Sequence, residues 1–95
     1  MQLREEHGTP VIRLAGELDM TSAETVRGAV DSALGGDPGR VVFETSKLEF
    51  MDSSGIALLL SVAQRVPEVL IREPSPIVRR LIELTGLEEI LRITP

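Results

Sequence analysis

Phe50-Met51-Asp52-Ser53-Ser54-Gly55-Ile56 is the stretch on which the reading of this chain turns. It follows a strand-like run, Val41-Val42-Phe43-Glu44, and leads into an apolar run from Ile56 to Ala63. A buried strand therefore hands over to a helix, with two serines at the junction. The first N–H groups of a helix lack internal partners, and the helix dipole favours negative charge there. A serine in that position either caps the helix or carries a phosphate, and the choice between the two decides what the protein does.

Outward from this junction the chain alternates. Leu3 to Glu5 reads as an edge strand, His7-Gly8-Thr9-Pro10 as a turn, and Val11 to Gly16 as a second strand pairing back on the first. Gly16 to Met20 is expected to be a connector. Thr21, with Glu24 three residues later, has the spacing of a capping box. Ala23, Val26, Val30, Ala33 and Leu34 then form a one-sided helical stripe, ended by Gly35-Gly36-Asp37-Pro38-Gly39. After the short strand at Val41 to Phe43, Leu48 and Phe50 are expected to bury beneath a following loop. The next helix presents Ile56, Leu59, Leu60 and Ala63, and it must end by Val66 because Pro67 disfavours helical geometry before it.

Val69-Leu70-Ile71 is another short strand. Ser75 and Pro76 then mark a helix start, and Gly86 followed by Leu87 marks a glycine stop with its hydrophobic contact. Ile90 to Ile93 completes the series as a last strand at the sheet edge. Strands alternating with helices predict an α/β fold, a mixed, mostly parallel sheet of four to five strands with helices packed on it. The chain reads as one domain over residues 1–95.

Composition narrows the function. The net charge is −5 and aromatics make up 2% of the chain, which argues against nucleic acid as a partner on both electrostatic and stacking grounds. No apolar run reaches membrane-spanning length, so membrane insertion is not expected and a cytoplasmic protein is. With no cysteine and one histidine, neither a disulfide framework, a metal cluster nor any other cofactor site is indicated. His7, in a turn, has no nucleophile elbow to serve, and the glycines near residue 36 are followed by no Gly-Lys-Ser/Thr. The expectation is a protein that is not an enzyme.

Three segments occur in order: Ala15-Gly16-Glu17-Leu18-Asp19, the Phe50 to Ile56 core, and Ser75-Pro76-Ile77-Val78-Arg79-Arg80-Leu81-Ile82 followed by Thr85-Gly86-Leu87. Together they closely resemble the STAS-domain family, in particular its stand-alone bacterial anti-sigma factor antagonists. The resemblance covers nearly the whole chain, and Met-Asp-Ser-Ser-Gly is its specific part. It implies a partner-switching role in transcription regulation. Such proteins bind an anti-sigma factor that is also a serine kinase, and so free a sigma factor. The kinase phosphorylates the serine after the motif aspartate, here Ser53, and the complex separates. A PP2C-type phosphatase then restores the binding form.

By the same resemblance, Asp52 orients Ser53, Asp19 stands beside it, and Gly55 completes the phosphosite environment. Ser54 is the secondary phosphorylation candidate, with helix capping as its expected task. The partner surface implied comprises Asp19, Met20, Thr21, Ser22, Asp52, Ser53 and Ser54, with Ser61 and Arg65 on the following helix. The connection Gln64 to Glu68 is shorter than in the family, and relatives continue beyond the position of Pro95 into a further helix. A monomer is the expectation, with a dimer through an uncovered sheet edge as the variant. The alternative function is a STAS-type accessory subunit that binds a transporter ATPase without any phosphorylation cycle.

Overall fold

The computed structural model describes residues 1–95. Strand β1 (Gln2–Glu6) and strand β2 (Thr9–Leu18) form an antiparallel hairpin. Its turn is only two residues long, with His7 and Gly8 both at positive φ, the geometry that matches the twist of the flanking strands. The strand therefore starts at Thr9, and Pro10 lies within it rather than in the turn. Helix α1 (Met20–Ala33), strand β3 (Arg40–Met51), helix α2 (Ser53–Ala63), strand β4 (Glu68–Arg72), helix α3 (Pro76–Leu84) and strand β5 (Leu91–Thr94) follow.

The five strands lie in the order of the sequence, β1-β2-β3-β4-β5, and every pair after the first is parallel. Each crossover steps the same way, and right-handed connections place all three helices on one face. That face holds a single aliphatic core. Ile12, Leu14, Phe43, Leu58, Leu59, Ile71 and Ile82 are all buried within it. The expected mixed, mostly parallel sheet with packed helices is what the chain forms.

Several boundaries differ from expectation, and one cause accounts for most of them: strand pairing runs further than composition suggests. Strand β2 continues through the supposed connector to Leu18, and β3 extends twelve residues rather than stopping after Phe43. Beyond Glu44, β3 leaves β4 and pairs with β2 alone. Two register shifts, between Arg13 and Ala15 and between Gly16 and Glu17, each add a residue to β3. Such bulges re-aim the side chains that follow them. Leu48 and Met51 consequently face the core, whereas Phe50 turns to the opposite face and stays 45% exposed, contrary to its expected burial.

At the third helix the sequence signals are realised, with one exception. Ser75 is the N-cap and Pro76 the first helical residue, but the Ser75 side chain makes no capping bond. Its Oγ is buried without a partner, as is Thr45 Oγ1. The two residues meet through the Ser75 N–H, which donates to the Thr45 carbonyl at 3.3 Å. At the far end Gly86, with φ +69°, closes the helix: its N–H donates to the Glu83 carbonyl and that of Leu87 to the Ile82 carbonyl. This double bond pattern requires a left-handed residue, which glycine adopts without strain.

The helix-free face of the sheet is charged. Arg4 and Arg72 each bridge Glu6 and Glu44, at 2.9 to 3.4 Å, to close a four-membered ring. The Arg72 and Arg4 hydrogen bonds hold the Glu6 carboxyl below its usual range, and those of Arg4 and then Arg72 do the same for Glu44. Arg40 and Arg92 share Glu68 beside it. Val11 and Val42 lie on this face yet are buried; the aliphatic stems of long charged side chains can supply such cover.

Candidate functional site

The site is built by two strand ends held in register. Leu18 of β2 pairs with Met51 of β3, and the next residue of each strand is an aspartate that caps a helix. The Asp52 N–H also donates to the Leu18 carbonyl at 3.3 Å, tying the two turns together. Helices α1 and α2 therefore begin side by side at the carboxyl end of the parallel sheet, where open α/β sheets present their functional loops.

The first cap is elaborate. Asp19 Oδ1 accepts from the backbone N–H groups of Thr21 and Ser22, both at 3.0 Å. Ser22 Oγ accepts from the Asp19 N–H at 3.0 Å and donates to the Glu17 carbonyl at 2.9 Å. The capping box is thus Asp19 with Ser22, not Thr21 with Glu24. Pairing through Leu18 fixes where the strand stops, so the cap falls two residues earlier than the sequence pattern suggested. The Ser22 backbone hydrogen bond is the largest influence holding the Asp19 carboxyl below its usual range, and the Ser22 hydroxyl and Thr21 N–H reinforce it.

The second cap is simpler. Asp52 Oδ1 accepts from the Ser54 N–H at 2.8 Å, and the Asp52 carbonyl accepts from Gly55 and Ile56. Capping therefore belongs to Asp52, and the expectation that Ser54 would cap the helix is corrected. Ser53 and Ser54 occupy the first two helical positions, Ser53 exposed and Ser54 half-buried. Of the two, Ser53 is the one open to solvent beside the Asp52 carboxylate.

Gly55 allows the two turns to approach. A Cβ at this position would lie 2.5 Å from Met51 Cγ, 3.0 Å from the Leu18 carbonyl oxygen and 3.1 Å from Leu18 Cδ2. Any larger residue would push α2 away from the strand ends that carry Asp19 and Asp52.

Met20 and Thr21 lie on the exposed first turn of α1, Met20 at 75% exposure. Ser61 lies two turns along α2, and Arg65, expected on that helix, lies in the turn just past its end at Ala63; both are away from this corner and both are occupied. Ser61 Oγ accepts from Arg27 Nη1 at 3.1 Å and donates to the Leu58 carbonyl, while Arg65 forms an ion pair with Asp31. They join α2 to α1. Arg27 and Asp31 were not singled out from sequence, though their spacing of four on α1 matches the spacing of Ser61 and Arg65. Phe50, two residues before Asp52, was expected to be buried and is instead an exposed aromatic next to the site.

Comparison with known proteins gives a consistent result. The profile of the STAS domain matches residues 1–95. An anti-sigma F factor antagonist of Paenibacillus polymyxa is 33% identical, over 98% of this chain and 86% of its own length. One from Lysinibacillus sphaericus is 34% identical, over 83% of this chain and 72% of its own. Among solved structures, the anti-sigma factor antagonist SpoIIAA in its unphosphorylated form superposes with a TM-score of 0.83 at 31% identity, covering 99% of this chain and 87% of that one. The phosphorylated form of Bacillus SpoIIAA gives 0.76 at 30% identity, covering 99% and 90%. With these likenesses spanning its full length, the chain belongs to the STAS domain family.

Proposed function

We propose that this protein is an anti-sigma factor antagonist whose binding is ended by phosphorylation of Ser53. Its partner is an anti-sigma factor that is also a serine kinase, and a PP2C-type phosphatase returns it to the binding form. The observation that carries the reading is the exposed Ser53 at the first position of α2, flanked by the Asp52 cap and adjoining the Asp19 turn. A related fold solved with and without phosphate supports the same reading.

The physical chemistry fits a switch by charge. A phosphate brings about −1.5 to −2 charges and strong acceptor oxygens. N–H groups at a helix start can donate to an anion, so the domain need not unfold to hold it. An interface formed over Asp19 to Ser22 and Asp52 to Ser54 would instead have to desolvate that phosphate. Disrupting a buried polar contact costs about 2–5 kcal/mol. At roughly 1.4 kcal/mol per decade, binding would weaken by more than tenfold.

Incubation with the cognate kinase and ATP, followed by intact-mass and peptide mass spectrometry, tests the proposal. One phosphate on Ser53 is expected, with none on the Ser53→Ala protein, which still binds the kinase. Ser53→Asp is expected to bind more weakly. Phosphate transfer to Ser53→Ala at wild-type stoichiometry would refute the assignment. Tight kinase binding by wild type and Ser53→Asp alike would refute the switch.

A further inference from the structure

The helix-free face contains one break in its pattern of paired charges. Arg4, Arg40, Arg72 and Arg92 each contact a glutamate. Arg13 and Lys47, on the same face, take part in none of these ion pairs. Glu44 stands directly opposite Arg13 across the β2–β3 ladder, but its carboxylate is held by Arg4 and Arg72. The neighbour best placed to neutralise Arg13 is therefore already engaged.

Lys47 reaches this face through the first bulge of β3. Arg13 pairs with Glu44 and Ala15 with Lys47, so three residues of β3 span two of β2. Without the inserted residue, Ser46 would oppose Ala15, and Lys47 would point into the core among Leu14 and Leu48. A lysine there would be buried and unpaired, at a prohibitive cost. The bulge thus brings a second cation to this face opposite Ala15, one same-face position along the ladder from Arg13.

Around these residues is a hollow of about 300 Å³, lined by Met1, Gln2, Arg13, Ala15 and Lys47. It presents a guanidinium, an ammonium and an amide, and no carboxylate. In a chain of net charge −5, an uncompensated pair of cations in a concavity is a local reversal of field. The guanidinium offers a planar fork suited to oxyanions, and the ammonium a compact point charge.

We infer that this hollow is a binding site for a phosphate group, held between Arg13 and Lys47 with the Gln2 amide as a further donor. The phosphate is either the free ion or the monoester of a small molecule. The site lies on the face of the sheet opposite the helices and does not depend on the chemistry of Ser53.

Titration of the ¹⁵N-labelled protein with inorganic phosphate, at ionic strength held constant with chloride, tests the inference. Saturable amide shifts are expected at residues 2–3, 13–15 and 46–48, with a dissociation constant in roughly the millimolar range. R13Q and K47Q should each weaken binding about tenfold, and R13Q/K47Q should abolish it, with the urea midpoint of each variant certifying its fold. A parallel titration with glycerol phosphate separates the sources. Saturation by both points to a monoester, and saturation by inorganic phosphate alone points to the free ion. Shifts reproduced by chloride, or binding unaltered in R13Q/K47Q, would overturn the inference.

Discussion

Replacing Gly55 by alanine should destabilise the protein even though it sits in a helix, where alanine is ordinarily the better residue. By propensity alone the exchange would stabilise α2 by about 1 kcal/mol. The new Cβ, however, would stand 2.5 Å from Met51 Cγ and 3.0 Å from the Leu18 carbonyl oxygen. Met51 is 2% exposed and has nowhere to retreat, and the Leu18 oxygen is backbone in a paired strand. Overpacking of this kind costs about 1–3 kcal/mol and occasionally more.

A 2.5 Å approach is closer than real Cβ contacts come, so the upper part of that range, about 2–3 kcal/mol, applies. After the propensity gain is subtracted, the expected net loss is about 1–2 kcal/mol, or roughly 5–15 °C in Tm for a domain of this size. Gly28→Ala in α1 is the internal control, since its Cβ would meet nothing within 4 Å. That variant should gain about 0.5–1 kcal/mol. Urea and thermal unfolding of both variants measure the difference. A Gly55→Ala protein as stable as wild type would show that α2 can lift from the strand ends without cost, and the account of the site's geometry would fail.

Three further outcomes follow from the same structure. Asp52→Ala should lose about 1 kcal/mol of stability by urea unfolding, because the Ser54 N–H loses its acceptor, and Ser54→Ala should lose almost none. Thr45→Val should raise stability by about 1 kcal/mol, since it removes a buried hydroxyl without a partner while keeping its shape; a loss would mean that the hydroxyl is satisfied. Glu6 and Glu44 have carboxyls depressed by Arg4 and Arg72, so they add stability above their unfolded pKa of about 4.3 and lose it as pH falls through their lower folded values. Urea midpoints measured from pH 6 to pH 3 should therefore fall more steeply for wild type than for Glu44→Gln.

The order of elements was legible in the sequence because local signals mark it: the Gly35-Gly36 stop, the Ser75-Pro76 start and the Gly86 close each act within a few residues. The Asp-Ser-Ser-Gly corner was legible for the same reason. What the sequence concealed was set by pairing between strands. Alternation through Val41 and Phe43 cannot be carried past Thr45, because two inserted residues shift the parity, and Phe50 was misplaced as a result. Both cap assignments failed alike. Thr21 and Ser54 are good capping residues, but register places the strand ends at Leu18 and Met51, and whichever residue comes next becomes the cap. The occupied state of Ser61 and Arg65 depends on how α1 lies against α2, which no single-helix pattern contains.

The side-by-side start of α1 and α2 also sets a charge ledger for the corner. Two capping carboxylates contribute about −2, and two helix ends return roughly +0.5 each, leaving a net near −1. A phosphate on Ser53 would add about −1.5 to −2 and bring the corner to about −2.5 to −3. The helix dipoles that its aspartates cap thus offset about half of the carboxylate charge of the unmodified corner. A single phosphate there would bring its net charge to roughly two and a half to three times its present value.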